Sequence, residues 1–158
     1  MGGKEDLKHS FYGLETASVR ADSPAFHFTG TPADLYGRLR KCWCAETCAP
    51  RMRAQWPEHH PTWGQCSVTA FLAQDIFGGR VYGVPLPEGG VHCYNDVDGC
   101  VFDLTSEQFG DQKLDYAHCP EQSREAHFAK AEKRARYEAL RRALLSSLAQ
   151  REPSNEKE

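Results

Sequence analysis

No stretch of this 158-residue chain is apolar for long enough to span a membrane. Its first residues, Met1-Gly2-Gly3-Lys4-Glu5-Asp6, lack the apolar segment of an export signal. Gly2 does not make a myristoylation site either, because position 6 is Asp6 rather than Ser or Thr. Nor is there an excess of positive charge: 19 basic residues stand against 22 acidic ones, a net charge of -3. That balance excludes the electrostatic footprint of a nucleic-acid or anionic-membrane binder. The expected partners are therefore a small molecule, a peptide or a protein, with no nucleic acid and no membrane, and the expected location is the cytoplasm. Internal repeats are lacking as well. Seven cysteines, an odd number in a chain without an export signal, favour reduced thiols over a disulfide framework.

What is present suits one domain, since a chain of this length buries about 70% of its unfolded surface and needs no staples. Residues 1–30 show scattered Gly, Ser and charge without a period and read as a partly ordered arm. Residues 31–150 form the domain, and residues 151–158 read as a disordered polar tail. Thr31-Pro32 is a helix start, with Thr31 as N-cap, Pro32 in the first turn, and Leu35, Leu39 and Trp43 on one face over about three turns. Residues 49–63 carry three prolines and no apolar period, and predict a long loop that packs over something. From Gln65 to Phe77 apolar residues occur nearly all round, which predicts a buried central helix stopped by Gly78-Gly79.

Three short strands follow, over residues 80–84, 90–95 and 100–104, the last two joined by the hairpin dipeptide Asp98-Gly99. Thr105-Ser106-Glu107-Gln108 has the form of a capping box. A longer helix is expected over residues 123–148, with Tyr137, Leu140, Leu144 and Leu145 inward and a solvated charged face outward.

The chemistry rests on Trp63-Gly64-Gln65-Cys66. A cysteine at a helix N-terminus sits among unpaired N–H groups and the positive end of the helix dipole, both of which favour thiolate. With Asp98-Gly99 as the turn, Val97 pairs with Cys100, Tyr94 with Asp103 and His92 with Thr105, so His92 and Asp103 are diagonal neighbours on one sheet face. Cys66, His92 and Asp103 then make a nucleophile, a base and an orienter. The Cys66 N–H, helped by Gln65 or Trp63, is the expected oxyanion donor. Each member also has a plainer reading: a buried structural thiol, a satisfied histidine, and an aspartate that ends a strand by bonding nearby N–H groups.

The same reading places Glu46 and Thr47 at the end of the first helix, bonded to the loop that leads to Cys66. Trp43, Trp56 and Trp63 anchor that loop. Asn95 points away from His92, and Cys93 and Cys100 are packing residues on the opposite face. Cys42, Cys44 and Cys48 with His59 and His60 invite a zinc reading, but C-x-C-x3-C is not the paired C-x2-C spacing of zinc sites. No metal and no cofactor is assigned.

Gly64-Gln65-Cys66, His92 at a strand start and Phe102-Asp103-Leu104-Thr105 resemble the core of the transglutaminase-like branch of the papain-like superfamily. The segments Trp43-Cys44-Ala45-Glu46-Thr47, Trp63 to Ala70, Phe77-Gly78-Gly79 and Asp103 to Phe109 resemble the YunG-like proteins, small bacterial proteins of unknown function, from about residue 35 to 145. The resemblance implies an α+β fold, with a cysteine-bearing helix packed on a small antiparallel sheet and flanked by N- and C-terminal helices. The expected activity is that of a cysteine hydrolase or acyl transferase on an amide or acyl bond. The alternative is a non-catalytic binding or redox-sensing module.

Overall fold

A computed structural model describes residues 10–149, apart from 59 and 111. The expected tail, residues 151–158, and His59 therefore lie outside the described residues. The fold is mixed α+β, with a two-stranded and a three-stranded antiparallel sheet. Among the described residues no helix is long and apolar enough to cross a membrane.

Residues 10–30, read as part of an arm, carry structure of their own. β1 (Ala21–Ser23) and β2 (Phe28–Gly30) pair across a 3-10 turn, Pro24–Phe26. Phe11, Phe26 and Phe28 are buried in the main core. Their apolar residues are too few per strand to make a period-2 pattern, so the signal only appears once they meet the rest of the chain.

α1 (Pro32–Leu39) starts with the expected Thr31 cap, closed into a box by Asp34, whose carboxylate accepts the Thr31 N–H at 2.9 Å. The helix stops at Leu39, shorter than the three turns expected. Trp43 still reaches the core through a turn, donating its indole N–H to Thr69 Oγ1 at 2.8 Å.

α2 (Cys66–Phe77) is the central element, ended by Gly78 and Gly79 at φ +85 and +77. One side of it, Val68, Leu72, Ala73 and Ile76, packs into the main core with Leu35, Leu39, Leu140 and Leu144. The other side, Ala70 and Phe71, meets Val81 and Cys93 of the three-stranded sheet. A helix buried on both sides reads as apolar all round, and each fully buried side chain of this size contributes about 1.5–3 kcal/mol.

That sheet has the order β3 (Arg80–Pro85), β4 (Val91–Val97), β5 (Cys100–Phe102). Asp98 and Gly99 both take positive φ, 52 and 86, as a tight hairpin turn requires. Val97 pairs with Cys100 as expected, but the β4–β5 ladder ends at Asn95 and Phe102. The further pairs, Tyr94 with Asp103 and His92 with Thr105, are not part of it. Instead Asp103 Oδ1 accepts the Thr105 N–H and hydroxyl, at 3.3 and 3.4 Å, and turns the chain into a 3-10 turn, Ser106–Phe109. Thr105 is thus no side-chain cap, and the expected capping box does not form. β3 pairs with β4 from Val91 to Asp96, whereas β5 pairs only with Asn95, Asp96 and Val97, so among the described residues no strand covers the His92 end on that flank.

The expected long C-terminal helix is two helices, α3 (Arg124–Phe128), capped by Ser123, and α4 (Ala131–Ala149). No Gly or Pro marks the break. It is held by the Arg134 guanidinium, which donates to the Phe128 carbonyl at 2.8 and 3.3 Å in place of a continued helix ladder. Tyr137, Leu140 and Leu144 are buried as expected.

Candidate active site

The turn before α2 is built so that a side chain is present at Cys66 and absent at Gly64. Gly64 takes φ +73, and a Cβ there would lie 2.5 Å from Cys48 Sγ. Without one, the Gly64 carbonyl accepts the Ala49 N–H at 2.9 Å and the two chain segments close together. Gln65, fully buried, locks the other side of the turn. Its Oε1 lies 2.7 Å from Thr47 Oγ1, and its Nε2 donates to the Cys44 carbonyl at 3.1 Å. No side chain caps α2, so its first N–H groups, beginning at Cys66, are left without intrahelical partners at the cleft.

His92 and Asp103 meet deep in the protein, 1% and 0% exposed, with Nε2 2.7 Å from Oδ2. Oδ2 also accepts the Tyr116 hydroxyl at 2.7 Å, and Phe109 sets its ring edge-on to the imidazole at 4.6 Å. One carboxylate therefore does two jobs: Oδ1 ends the strand and Oδ2 orients a histidine. Burial works against a charged imidazole, but Asp103 and then Cys66 outweigh it and push His92 up to about 10. With Nε2 taken, Nδ1 is the ring nitrogen left for the sulfur.

Cys66 is half-buried and touches both His92 and Cys93. A hydrogen bond from the Cys93 thiol holds Cys66 well below the usual thiol range, against the cost of burial, and His92 adds to it. The Cys93 thiol is pushed in the opposite direction by the same bond and by burial, so it keeps its proton. Both shifts run in the direction that favours a Cys66 thiolate beside a His92 imidazolium.

A cleft of about 660 Å³ opens on this pair, lined by Trp63, Cys66, His92, Cys93 and Phe109 on one side and by α3 and α4 on the other. On that second wall His127 is 6% exposed. It lies 4.6 Å from Phe71, and its Nε2 is 3.2 Å from Ser67 Oγ. Burial, then Lys133 and Arg136, push this histidine down to about 4.

The structure brings Cys66, His92 and Asp103 together. The residues expected to assist them stand elsewhere. Gln65 spends its carboxamide as a strut of the turn. Trp63 lines the cleft, but its indole N–H donates to the Met52 carbonyl at 3.0 Å. The side chain of Glu46 is exposed, in a 3-10 turn (Ala45–Thr47) rather than at the end of α1; Thr47 makes the bond to the Cys66 turn. Asn95, expected on the face away from His92, donates to the Ala70 carbonyl of α2 at 2.9 Å.

Cys93 is the packing residue expected, buried against Ala70, Phe71 and Val81, and it also lines the cleft beside Cys66, which strand alternation does not announce. Cys66, His92 and Cys93 nonetheless line the same cleft, and both His92 and Cys93 act on the Cys66 sulfur. Tyr116 was missed: it lies in a loop with no pattern, and only the fold brings it to Asp103. Among the described residues no three of His, Cys, Asp and Glu are grouped as metal ligands, and Cys42 Sγ donates to the Arg38 carbonyl.

A family model described as "YunG protein" matches residues 31–149. The "Uncharacterized protein YunG" of Bacillus subtilis (strain 168) is 40% identical over 90 residues, covering 57% of this chain and 75% of that protein. No solved structure matches the chain.

Proposed function

The chain belongs to the YunG family, and from its site we propose a cysteine-dependent hydrolase or acyl transferase acting on an amide or acyl bond. One observation carries the reading. A buried His92–Asp103 pair, 2.7 Å apart, faces a cysteine at a helix N-terminus inside a cleft. The order of elements, cysteine on a helix and then histidine and aspartate from successive strands, supports a likeness to the transglutaminase-like and papain-like proteins.

In this mechanism the Cys66 thiolate attacks the substrate carbonyl carbon and the C–S bond forms. The oxyanion faces the Cys66 N–H and its first-turn neighbours. His92 gives the Nδ1 proton to the leaving group as the carbonyl re-forms, leaving a thioester. Water or an acceptor nucleophile then gives a proton to His92, attacks the thioester and frees the thiolate. Asp103 fixes the ring and stabilises its charged form throughout.

The test is alkylation by iodoacetamide at pH 6, followed by mass spectrometry. A free thiol is less than about 1% ionised there, so Cys66 should react about 10- to 100-fold faster, the gain held down by the lower nucleophilicity of an acidic thiol. His92→Ala should remove the advantage. A Cys66 that reacts no faster than free cysteine sinks the proposal.

Cys93 favours a second reading, a redox-sensing thiol pair. Hydrogen peroxide would transfer an oxygen to the Cys66 thiolate, and a proton from His92 would release the other oxygen as water, leaving a sulfenic acid. The Cys93 thiol would then displace a second water and close a disulfide. Stoichiometric peroxide should remove two titratable thiols and the mass of two hydrogens. A product that keeps the Cys93 thiol and retains the sulfenic acid rules this reading out.

A further inference from the structure

The break before α4 and the first turns of α4 put a row of cations on the wall opposite the nucleophile. Lys133 and Arg136, three residues apart, share one ridge of α4, Lys130 stands just before its start, and all three line the cleft. Sequence alone makes them part of a solvated face. They are not equivalent. Arg136 is buried and committed, paired with Glu132 and donating to the Thr47 carbonyl at 3.3 Å. Lys130 and Lys133 pair with no carboxylate among the described residues. Lys133 is half-buried and close enough to act electrostatically on both Cys93 and His127.

Around the whole cleft stand four Lys and Arg side chains, with Arg51 on the loop side, against Glu88 and Glu132. The chain as a whole is net negative, so this concentration of positive charge is local. Low-dielectric walls, here Phe71, Phe109 and Val91, focus such a field into the cleft. Beside the ridge, His127 Nδ1 is buried with no hydrogen-bond partner among the described residues, a polar atom in the cleft wall that the fold itself leaves unused.

Resting on the assignment of Cys66 as nucleophile, we propose that the acyl substrate carries a carboxylate close to its reacting carbonyl, and that Lys130 and Lys133 bind it. The lysines are suited to this, because an ammonium on a flexible stem pairs with a carboxylate without a fixed bidentate geometry. Binding charge here places the reacting carbon at Cys66 and replaces the water that otherwise solvates both ammonium groups.

The experiment compares two alkylating agents of nearly equal size, iodoacetate and iodoacetamide, on the native protein, with glutathione as the free-thiol reference. The ratio of the iodoacetate rate to the iodoacetamide rate should be at least about 10-fold higher for Cys66 than for glutathione, since two local charges steer the anion. His92 contributes to that preference, so the decisive reading is the change in ratio. Lys130→Gln with Lys133→Gln should lower it at least about fivefold, the loss of two local charges.

Should that double variant not fold, the wild-type ratio in about 1 M KCl, where the Debye length is near 3 Å, takes its place and should fall comparably. A ratio unchanged in the folded double variant, or unchanged by salt where that variant does not fold, overturns the carboxylate assignment while leaving an activated thiol intact. Slow iodoacetamide alkylation in wild type at pH 6 would instead remove the nucleophile on which the assignment rests.

Discussion

The two walls of the cleft each bury a histidine, and they hold it in opposite charge states. His92, on the sheet wall, is 1% exposed and pushed up to about 10; His127, on the helical wall, is 6% exposed and pushed down to about 4. Burial opposes charge in both. Cys66 acts to raise both, so the difference lies in what else faces each ring: the Asp103 carboxylate for His92, the Ser67 hydroxyl and the cations Lys133, Arg136 and Arg124 for His127. Desolvation alone makes a neutral histidine, and one carboxylate at 2.7 Å reverses the outcome.

The contrast can be broken first at Asp103. Asp103→Asn keeps an Oδ1 acceptor for Thr105 but removes the charge, so His92 comes to resemble His127 and loses its proton. Cys66 then loses its imidazolium, and its alkylation rate at pH 6 should fall about 10- to 100-fold, toward that of a free thiol. In wild type the rate should stay nearly level from pH 6 to 8, where a free thiol gains about tenfold per unit. A variant that keeps the level profile contradicts the comparison.

Next comes the helical wall. Because the folded state holds His127 below its ordinary value of 6.5, the unfolded chain binds more protons below that pH. Stability is lost as pH falls toward 4, by up to about 2 kcal/mol between pH 6.5 and 5. Urea unfolding of His127→Gln at the two pH values should show that dependence reduced.

The sheet wall has the opposite sign, and in wild type it is hidden. Near pH 7.5 the unfolded chain carries its proton on the Cys66 sulfur and the folded one carries it on His92, so the pair adds no slope. Cys66→Ala unmasks it. His92, still raised by Asp103, keeps a proton the unfolded state lacks, and stability should decline as pH rises above 6.5, by up to about 1.4 kcal/mol per unit. Flat stability in that variant would mean a neutral His92. The smallest effect is expected for Tyr116→Phe, which removes one hydrogen bond to Asp103 and should lower stability by about 0.5–1 kcal/mol in the same urea assay.

Much of this frame is legible in sequence because it is local. The Thr31 cap, the all-round apolar run from Val68 to Ile76 and the Asp98-Gly99 turn each act over a few residues. Together they place Cys66 at a helix start and bring His92 and Asp103 together. What is not legible depends on distant partners. Phe26 and Phe28 gain their meaning from a core assembled around α2. The break after Phe128 depends on an arginine six residues away. Cys93, Lys130 and Lys133 come to line one cleft with Cys66 only once β4, the start of α4 and α2 are assembled. Gln65 and Trp63 illustrate the reverse error: their chemistry suited an oxyanion donor, but Cys44 and Met52 offered carbonyls nearer at hand.

The Asp98-Gly99 turn acts as the origin of a count. His92 lies six residues before Asp98 and Asp103 four after Gly99, and both numbers are even. Inserting or deleting one residue on either arm of the hairpin would alter hardly any composition and remove no chemical group. It would nonetheless send one of the two side chains to the wrong face and separate the pair. For changes of length in this hairpin, then, parity matters more than identity: single-residue changes in an arm should abolish the site, whereas lengthening the turn itself, outside both counts, should be tolerated.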